Sequence, residues 1–304
     1  MREFKDQYWW PLAKSKVRAC TLAGYENVYK NHIAPYFANV EMSEITPRII
    51  DSWLDTCFDS PGIARKSFAI LRIILRTAYK YEIIDSDPTP RCLKVPKKEY
   101  KIQPTLTKDE VEQLINGFHG HELEVWVTLM ACLGLRREEG CALTWQDIDL
   151  KTGAVNINKG AQVVKGQLVI NPPKTIKSYR TVYIPESRLQ RIRELAKGSG
   201  CITPYNPNIT AQKYRRHCKE NNLPYVPPKN LRTTFATLAL REGWDVGRVS
   251  RWMGHSDPSV TLTNYIHPRE EELVELSSLF DNLESNKNIP HDEKFFEKLK
   301  KLFS

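Results

Sequence analysis

Residues 134–150, GLRREEGCALTWQDIDL, stand where the hydrophobic pattern of the chain changes its period. Before them, apolar residues recur at helical spacing up to Leu133. After them, β-branched residues alternate with polar ones, which is the pattern of a half-buried strand. The alternating segments are AVNINKG (154–160), QLVINPP (167–173) and RTVYIP (180–185). The sequence therefore predicts a mainly α protein with a small antiparallel β-sheet in its C-terminal domain.

The first 88 residues show helical patterns only, so we expect residues 1–88 to form a helical domain. Thr21 is predicted to be the N-cap of an early helix. Within residues 63–84 one apolar stripe follows the three- and four-residue spacing of a single helix face. The stripe consists of Ile70, Leu71, Ile74, Leu75 and Ala78. The basic residues of this block that are candidates for DNA binding are Arg65, Arg72 and Arg76.

Residues 89–105 separate this block from the next one. The stretch is rich in proline and lysine and has little periodicity. Because proline cannot continue a helix and stiffens an extended chain, we interpret the stretch as an interdomain linker. Its lysines have two interpretations, a solvated run of charge or contacts along a DNA backbone. The lysines that we assign to DNA binding are Lys94, Lys97 and Lys98.

The second domain, residues 106–284, opens with a capping box formed by Thr107 and Glu110. Residues 285–304 are predicted to form a tail helix, because their apolar residues fall on one helical face. That face has two interpretations. It folds back on its own domain, or it docks on a neighbouring copy of the chain.

The composition favours a polyanionic partner. The 304-residue chain carries a net charge of +9, and its pI is near 9.1. No stretch approaches the roughly 20 apolar residues that span a bilayer, so no membrane contact is expected. The seven cysteines form no C-x-x-C motif and no zinc-ligand spacing, which favours a reducing, cytoplasmic compartment and no bound metal. Neither a Walker loop nor a dinucleotide fingerprint is present in the sequence, so no cofactor is expected.

Several polar residues are of the types that phosphoryl chemistry needs. An arginine fork matches a phosphate and stays charged, a lysine can protonate a leaving oxygen, and a tyrosine can attack phosphorus. Taken singly, each has a structural explanation as well, since a helix-end histidine is commonly a C-cap and a tyrosine among apolar positions is commonly core. The candidates in chain order are Arg136, Lys174, Lys229, Arg232, His255 and Tyr265.

Together and in this order, the segments that hold these residues resemble the conserved boxes of the tyrosine recombinase (phage integrase) family. GLRREE resembles the first arginine box, which implies a catalytic role for Arg136 and a supporting role for Glu139. LRTTFATLAL resembles the second box, with its arginine at Arg232. MGHSDPSVTLTNY resembles the last box, with its histidine at His255 and its nucleophile at Tyr265.

The hairpin of the family is also matched, with one departure elsewhere. PPKTIKSYRTVYIP resembles that hairpin, which implies that Lys174 is the general acid.

The second box of the family usually reads His-x-x-Arg-His, but Lys229 and Thr233 occupy the two histidine positions here. A protonated lysine is a poor general base, so the group that assists Tyr265 is left open. Lys229 can still donate a hydrogen bond or balance charge at the phosphate.

The resemblance implies a fold, an activity and a set of partners. It implies a SAM-like core-binding domain and a catalytic domain that close as a C-shaped clamp on DNA. It implies site-specific recombination through a covalent 3′-phosphotyrosine, with neither ATP nor metal. The implied partners are double-stranded DNA with inverted core-type sites, three further copies in a homotetramer, and an accessory directionality factor. The implied location is the cytoplasm, on the nucleoid.

Two other functions share parts of this pattern. A type IB topoisomerase-like enzyme would use the same cations and tyrosine but relax supercoils without exchanging strands. A DNA-binding regulator would have lost catalysis altogether. Among recombinases, an integrase of a mobile element, an invertase and a Xer-like resolvase are all compatible with the sequence, and the unusual second box favours a mobile element.

Overall fold

The computed structural model describes residues 1–97, 103–173 and 175–254. The described chain is mainly helical, with small antiparallel sheets in its C-terminal half, so the predicted fold class is confirmed. None of the described helices combines the length and the apolar character that crossing a bilayer needs. The predicted features that lie outside the described residues are Lys98, Lys174, His255, Tyr265 and the tail, residues 285–304.

The N-terminal helices enclose a core of their own. They are α1 (Arg2–Phe4), α2 (Trp10–Lys16), α3 (Ala19–Val28), α4 (Ala34–Phe37), α5 (Pro47–Thr56) and α6 (Pro61–Lys80), with π-helical turns over Lys5–Trp9 and Tyr29–Ile33. The apolar stripe predicted for α6 is buried along its whole length, and Leu71, Ile74 and Leu75 are fully enclosed. Burial of this stripe against the other helices stabilises the unit through the hydrophobic effect.

The predicted N-cap at Thr21 is wrong. Helix α3 begins at Ala19, and Arg18 precedes it with an extended backbone (φ −67°, ψ 152°). The Arg18 carbonyl oxygen accepts the N–H groups of Thr21 and Leu22 at 2.9 and 3.0 Å. Thr21 therefore already lies in the first turn, and Arg18 stands where the chain enters the helix.

The chain that follows α6 stays attached to the N-terminal unit. The Asp51 carboxylate accepts the backbone N–H groups of Leu93 and Lys94, with N–O distances of 2.9–3.0 Å. Val95 packs against the N-terminal core, whereas Leu106 belongs to the core of the second unit. The change from one unit to the other falls between these two residues.

The C-terminal unit is organised around one buried helix. Its helices are α7 (Lys108–Asn116), α8 (Glu124–Leu133), α9 (Arg137–Gly140), α10 (Glu186–Leu195), α11 (Pro207–Glu220), α12 (Pro228–Arg241) and α13 (Val246–Met253). Helix α8 is buried nearly all round and packs against α12. The predicted capping box is confirmed, because Thr107 Oγ1 accepts the Glu110 N–H at 3.2 Å and Glu110 Oε2 accepts the Thr107 N–H at 2.7 Å.

The strands form two small sheets rather than the single sheet that the sequence predicts. Three antiparallel strands are ordered β1-β2-β5, and β3 pairs with β4 alone; the strands are β1 (Ile148–Asp149), β2 (Ala154–Ile157), β3 (Gly160–Val164), β4 (Gln167–Asn171) and β5 (Arg180–Tyr183). Lys165 and Gly166 connect β3 and β4 with φ angles of 48° and 82°. A two-residue turn with positive φ at both positions closes a tight hairpin. The turn therefore pairs β3 with β4 in a sheet of their own. Strand β2 pairs with β5 in the other sheet.

Gly134 ends α8 in the left-handed conformation (φ 61°), and its surroundings leave no room for a side chain. A Cβ there would lie 2.6 Å from a ring carbon of Phe235 and 3.1 Å from the sulfur of Met253. We predict that Gly134→Ala lowers the free energy of unfolding by about 2–3 kcal/mol, because backbone strain and overpacking add. Urea titration measures the loss. Gly120→Ala is the matched control, since Gly120 also has a positive φ but has open space around it; equal losses for the two variants would contradict the overpacking.

Candidate active site

A buried carboxylate holds two arginines together at the start of α9. Glu139 Oε1 accepts hydrogen bonds from Arg136 Nη1 at 2.6 Å and from Arg180 Nη1 at 3.0 Å. Its Oε2 accepts from Arg180 Nη2 at 2.8 Å and from the Arg136 backbone N–H at 2.8 Å. The side chains of Glu139 and Arg180 are 9% and 7% exposed. The ion pair is therefore withdrawn from solvent and satisfied by charge-assisted hydrogen bonds.

The charge state of Glu139 follows from its neighbours. Burial alone would raise the pKa of this carboxyl, but the hydrogen bonds and charge of Arg180 and the charges of Arg136 and Arg232 outweigh burial. The net effect lowers the pKa of Glu139 to about 2, from an ordinary value of 4.5. Glu139 is consequently ionised at neutral pH and remains a fixed anchor for the arginines.

Three arginines converge on the C-terminal end of α13. Cations are favourable at this end of a helix because the last carbonyl oxygens carry partial negative charge. The contacts are Arg180 Nε to the Trp252 oxygen (2.7 Å), Arg232 Nη2 to the Met253 oxygen (2.6 Å) and Arg136 Nη2 to the Gly254 oxygen (3.1 Å). The candidate His255 is the next residue in the sequence. The arginines thus hold the backbone that immediately precedes it.

Arg232 and Arg136 differ in their access to solvent. Arg232 lies on α12 and is 6% exposed, and its Nη1 also donates to the Gly134 carbonyl oxygen at 2.8 Å. It therefore links the ends of α8 and α13. The Arg136 side chain is 35% exposed. Lys229 lies on α12 about one turn before Arg232, and its side chain is exposed.

A cleft of about 470 Å³ opens beside this network. Arg136, Glu139 and Gly254 line it on one side, and Lys229 is not among the described residues that line it. Other residues with polar or charged side chains along its wall are Arg18, Glu138, Lys159, Gln162, Asn171, Thr175 and Ser178. Arg136 and Lys159 give the cleft basic groups from the C-terminal unit, which suit a phosphate or another anion.

The sequence analysis missed two residues of this site. Arg180 is the first residue of β5, and Lys159 directly precedes β3. Lys159 Nζ forms an ion pair with Asp147 at 2.6 Å. A charged residue inside a short alternating strand was the available signal, because a buried charge needs a partner of opposite sign. That signal did not identify Glu139 as the partner of Arg180.

The basic residues predicted to bind DNA form a second cluster, on the N-terminal unit. Arg65, Arg72 and Arg76 line one open groove along α6, and Val95 contributes to the same groove. The structure therefore brings the three predicted arginines onto one face. Of the predicted lysines in the described range, Lys94 Nζ lies 3.7 Å from an Asp55 carboxylate oxygen and Lys97 is exposed.

We predict that Glu139→Gln lowers the free energy of unfolding by about 3 kcal/mol at neutral pH, because Arg180 is left buried without its counter-charge. Glu138→Gln is the matched control, since Glu138 pairs with Arg137 at the partly exposed surface and should cost less than about 1 kcal/mol. Urea unfolding measures both variants.

The same measurement at lower pH checks the cause. The depressed pKa of Glu139 means that its contribution is complete above about pH 4.5 and is lost as the pH falls towards about 2. The gap between the wild type and Glu139→Gln should therefore narrow over this interval. A gap that stays constant with pH would show that the ionised carboxylate is not the source of the stability.

Two family models match the chain. The phage integrase family model matches residues 104–272, and the N-terminal SAM-like domain model of phage integrases matches residues 3–57. The ICEBs1 integrase of Bacillus subtilis is 24% identical over 297 residues, which cover 87% of this chain and 80% of the relative.

Solved structures share the fold. The Tn1549 transposon integrase in complex with transposon right end DNA superposes with a TM-score of 0.75 at 17% identity, covering 92% of this chain and 99% of that one. A lambda integrase tetramer bound to a Holliday junction gives a TM-score of 0.66 at 19% identity, covering 88% of this chain and 78% of that one.

The catalytic-domain model spans more than half of the 304 residues and includes every segment that carries the sequence resemblance. The resemblance predicted from those segments is therefore confirmed. The chain belongs to the phage integrase family of tyrosine recombinases, enzymes that cut and rejoin DNA at specific sites.

Proposed function

We propose that this protein integrates and excises a mobile genetic element, and that Tyr265 forms the covalent link to DNA. The observation that carries the assignment of the site is the Glu139 network, which holds Arg136 beside the cleft and the backbone just before His255. The ICEBs1 integrase of Bacillus subtilis and the Tn1549 transposon integrase among the similar proteins support a mobile element.

Arg136 and Arg232 stabilise the phosphate in this proposal. Negative charge grows on the nonbridging oxygens as the phosphorus is attacked, and fixed cations stabilise that charge. Arg136 has five N–H donors, and its contacts with Glu139 and Gly254 use one from each Nη. The remaining donors can bind a phosphate oxygen in the cleft. His255 donates a third hydrogen bond to the same phosphate.

The transfer step exchanges one phosphoester for another. The Tyr265 oxygen gives up its phenolic proton to solvent and bonds to phosphorus while the bond to the deoxyribose 5′ oxygen breaks. Lys174 supplies the proton that the 5′ oxygen takes up, so one proton is released and one is added. The 3′-phosphotyrosine retains the ester, so a 5′ hydroxyl can reverse the step without ATP. Lys229, which is exposed on α12 about one turn before Arg232, contributes positive charge at the phosphate.

The two units, 1–88 and 106–284, bind opposite sides of the duplex as a clamp, joined by the linker 89–105. Phosphate contacts supply most of the affinity, because Lys and Arg side chains release counterions from DNA. The proposed contacts outside the active site are Arg65, Arg72, Arg76, Lys94, Lys97 and Lys98. We propose that the enzyme acts in the cytoplasm, on the nucleoid.

Recombination joins two duplexes, so four copies act on a pair of inverted core-type sites. The tetrameric assembly of lambda integrase on a Holliday junction supports this stoichiometry. We propose that residues 285–304 dock on a neighbouring copy in that assembly. An accessory directionality factor is the proposed partner that selects integration or excision.

The covalent step can be tested with a nicked suicide duplex that carries the attachment site, because the short 5′ fragment diffuses away and the adduct accumulates. We predict an adduct on a denaturing gel for the wild type and none for Tyr265→Phe. Tyr183→Phe is the matched control, since Tyr183 is an exposed tyrosine of the same unit, and it should form the adduct normally.

Three results would overturn the proposal. An adduct that persists in Tyr265→Phe would mean that another group attacks the phosphorus. A wild type that binds the site but forms no adduct would favour a DNA-binding regulator without catalysis. Turnover of supercoiled plasmid that lacks the site would instead favour a topoisomerase-like enzyme.

A further inference from the structure

One arginine of the N-terminal unit reaches the catalytic unit at the edge of the cleft. Arg18 Nη1 donates to the carbonyl oxygen of Pro172 at 3.0 Å, and Arg18 Nη2 donates to that of Pro173 at 2.9 Å. Both ends of the guanidinium fork are therefore used on two successive carbonyls. Such a pair of bonds fixes orientation as well as distance, which a single ammonium cannot do.

The two carbonyls belong to the segment that connects β4 with β5. Strand β4 ends at Asn171 and β5 begins at Arg180, so Pro172 and Pro173 lie outside both ladders. Neither proline has a backbone N–H, and only their carbonyl oxygens can form backbone hydrogen bonds. Arg18 thus binds the backbone carbonyl oxygens of both prolines. The next residue in the sequence is Lys174.

A second contact joins the β3–β4 hairpin to α3, the helix that Arg18 precedes. Helix α3 packs against β3, and Glu26 on α3 forms an ion pair with Lys165 at the β3–β4 turn, 3.0 Å apart. The hydrogen bond and charge of Lys165 lower the pKa of Glu26. The hairpin is consequently held by the N-terminal unit at its turn and again just after β4.

We infer that Arg18 is a positioning residue for leaving-group protonation: it holds Pro172 and Pro173, the two residues that precede Lys174 in the sequence, and Lys174 needs this support to protonate the leaving 5′ oxygen. The inference rests on the proposed role of Lys174 as general acid. It follows that leaving-group protonation requires the N-terminal unit to be seated against the hairpin. DNA cleavage is thereby coupled to the engagement of both units.

The test compares two nicked suicide duplexes that differ only in the bridging atom of the scissile bond, 5′ oxygen or 5′ sulfur. A thiol has a pKa of about 8.5, far below that of an alcohol, so sulfur leaves as a thiolate and needs no proton. We expect Arg18→Ala to slow single-turnover cleavage of the oxygen duplex by about 10- to 100-fold. On the sulfur duplex the same variant should stay within about 3-fold of the wild type.

Three further variants separate the positioning role from simpler ones. Arg18→Lys keeps the charge but loses the fork, so it should be as defective as Arg18→Ala on the oxygen duplex. Lys16→Ala removes a nearby exposed charge and should cleave both duplexes like the wild type. Lys174→Ala sets the reference for a lost general acid, and the sulfur duplex should rescue it. DNA affinity, measured alongside, should be nearly unchanged for Arg18→Ala.

The outcomes distinguish this inference from the proposed function. If sulfur rescues Lys174→Ala but not Arg18→Ala, Arg18 acts on DNA binding or folding and the inference is wrong, while Lys174 remains the general acid. If Arg18→Ala cleaves the oxygen duplex faster than the wild type, the contact is inhibitory and the inference is wrong. If sulfur does not rescue Lys174→Ala, the proposed role of Lys174 fails and the inference fails with it.

Discussion

The Glu139 carboxylate, shared by Arg136 and Arg180, is the interaction on which the rest of the site depends. The positive charges of the two guanidinium groups repel each other, and the carboxylate that both contact offsets this repulsion. The low pKa of Glu139 keeps that charge in place at neutral pH. The carbonyl oxygens at the end of α13 accept hydrogen bonds from Arg180, Arg232 and Arg136. Three cations and one carboxylate leave a surplus of two positive charges beside the cleft, which suits a phosphate diester.

The arginines of the network differ in burial, and their proposed roles differ accordingly. Arg180 is almost fully enclosed and holds β5, α9 and α13 together, whereas Arg136 is partly exposed and faces the cleft. Arg232 is buried and links the glycine that ends α8 with the end of α13; in the proposed mechanism it also stabilises the phosphate. A site of this kind is prepared before DNA arrives, so little reorganisation is needed when charge develops on the phosphate.

The features that the sequence predicted correctly depend on residues close together in the chain. The α6 stripe and the Thr107 capping box follow from spacing within one helix, and Arg136 and Glu139 are three residues apart at a helix start. The features that the sequence did not predict depend on distant partners. Arg180 meets Glu139 only because β5 pairs with β2, and Arg18 meets Pro172 across 154 positions of sequence. The Thr21 N-cap failed because the chain enters α3 three residues earlier, at Arg18.

The most direct measurement replaces the scissile phosphate of the nicked duplex with a methylphosphonate, in which an uncharged methyl group takes the place of one nonbridging oxygen. If Arg136 stabilises negative charge on that phosphate, Arg136→Ala should be slower than the wild type by about 100-fold or more on the normal duplex. On the methylphosphonate duplex the two proteins should then cleave at nearly the same rate. An equal loss on both duplexes would contradict the account, since it would mean that Arg136 serves only to hold the end of α13.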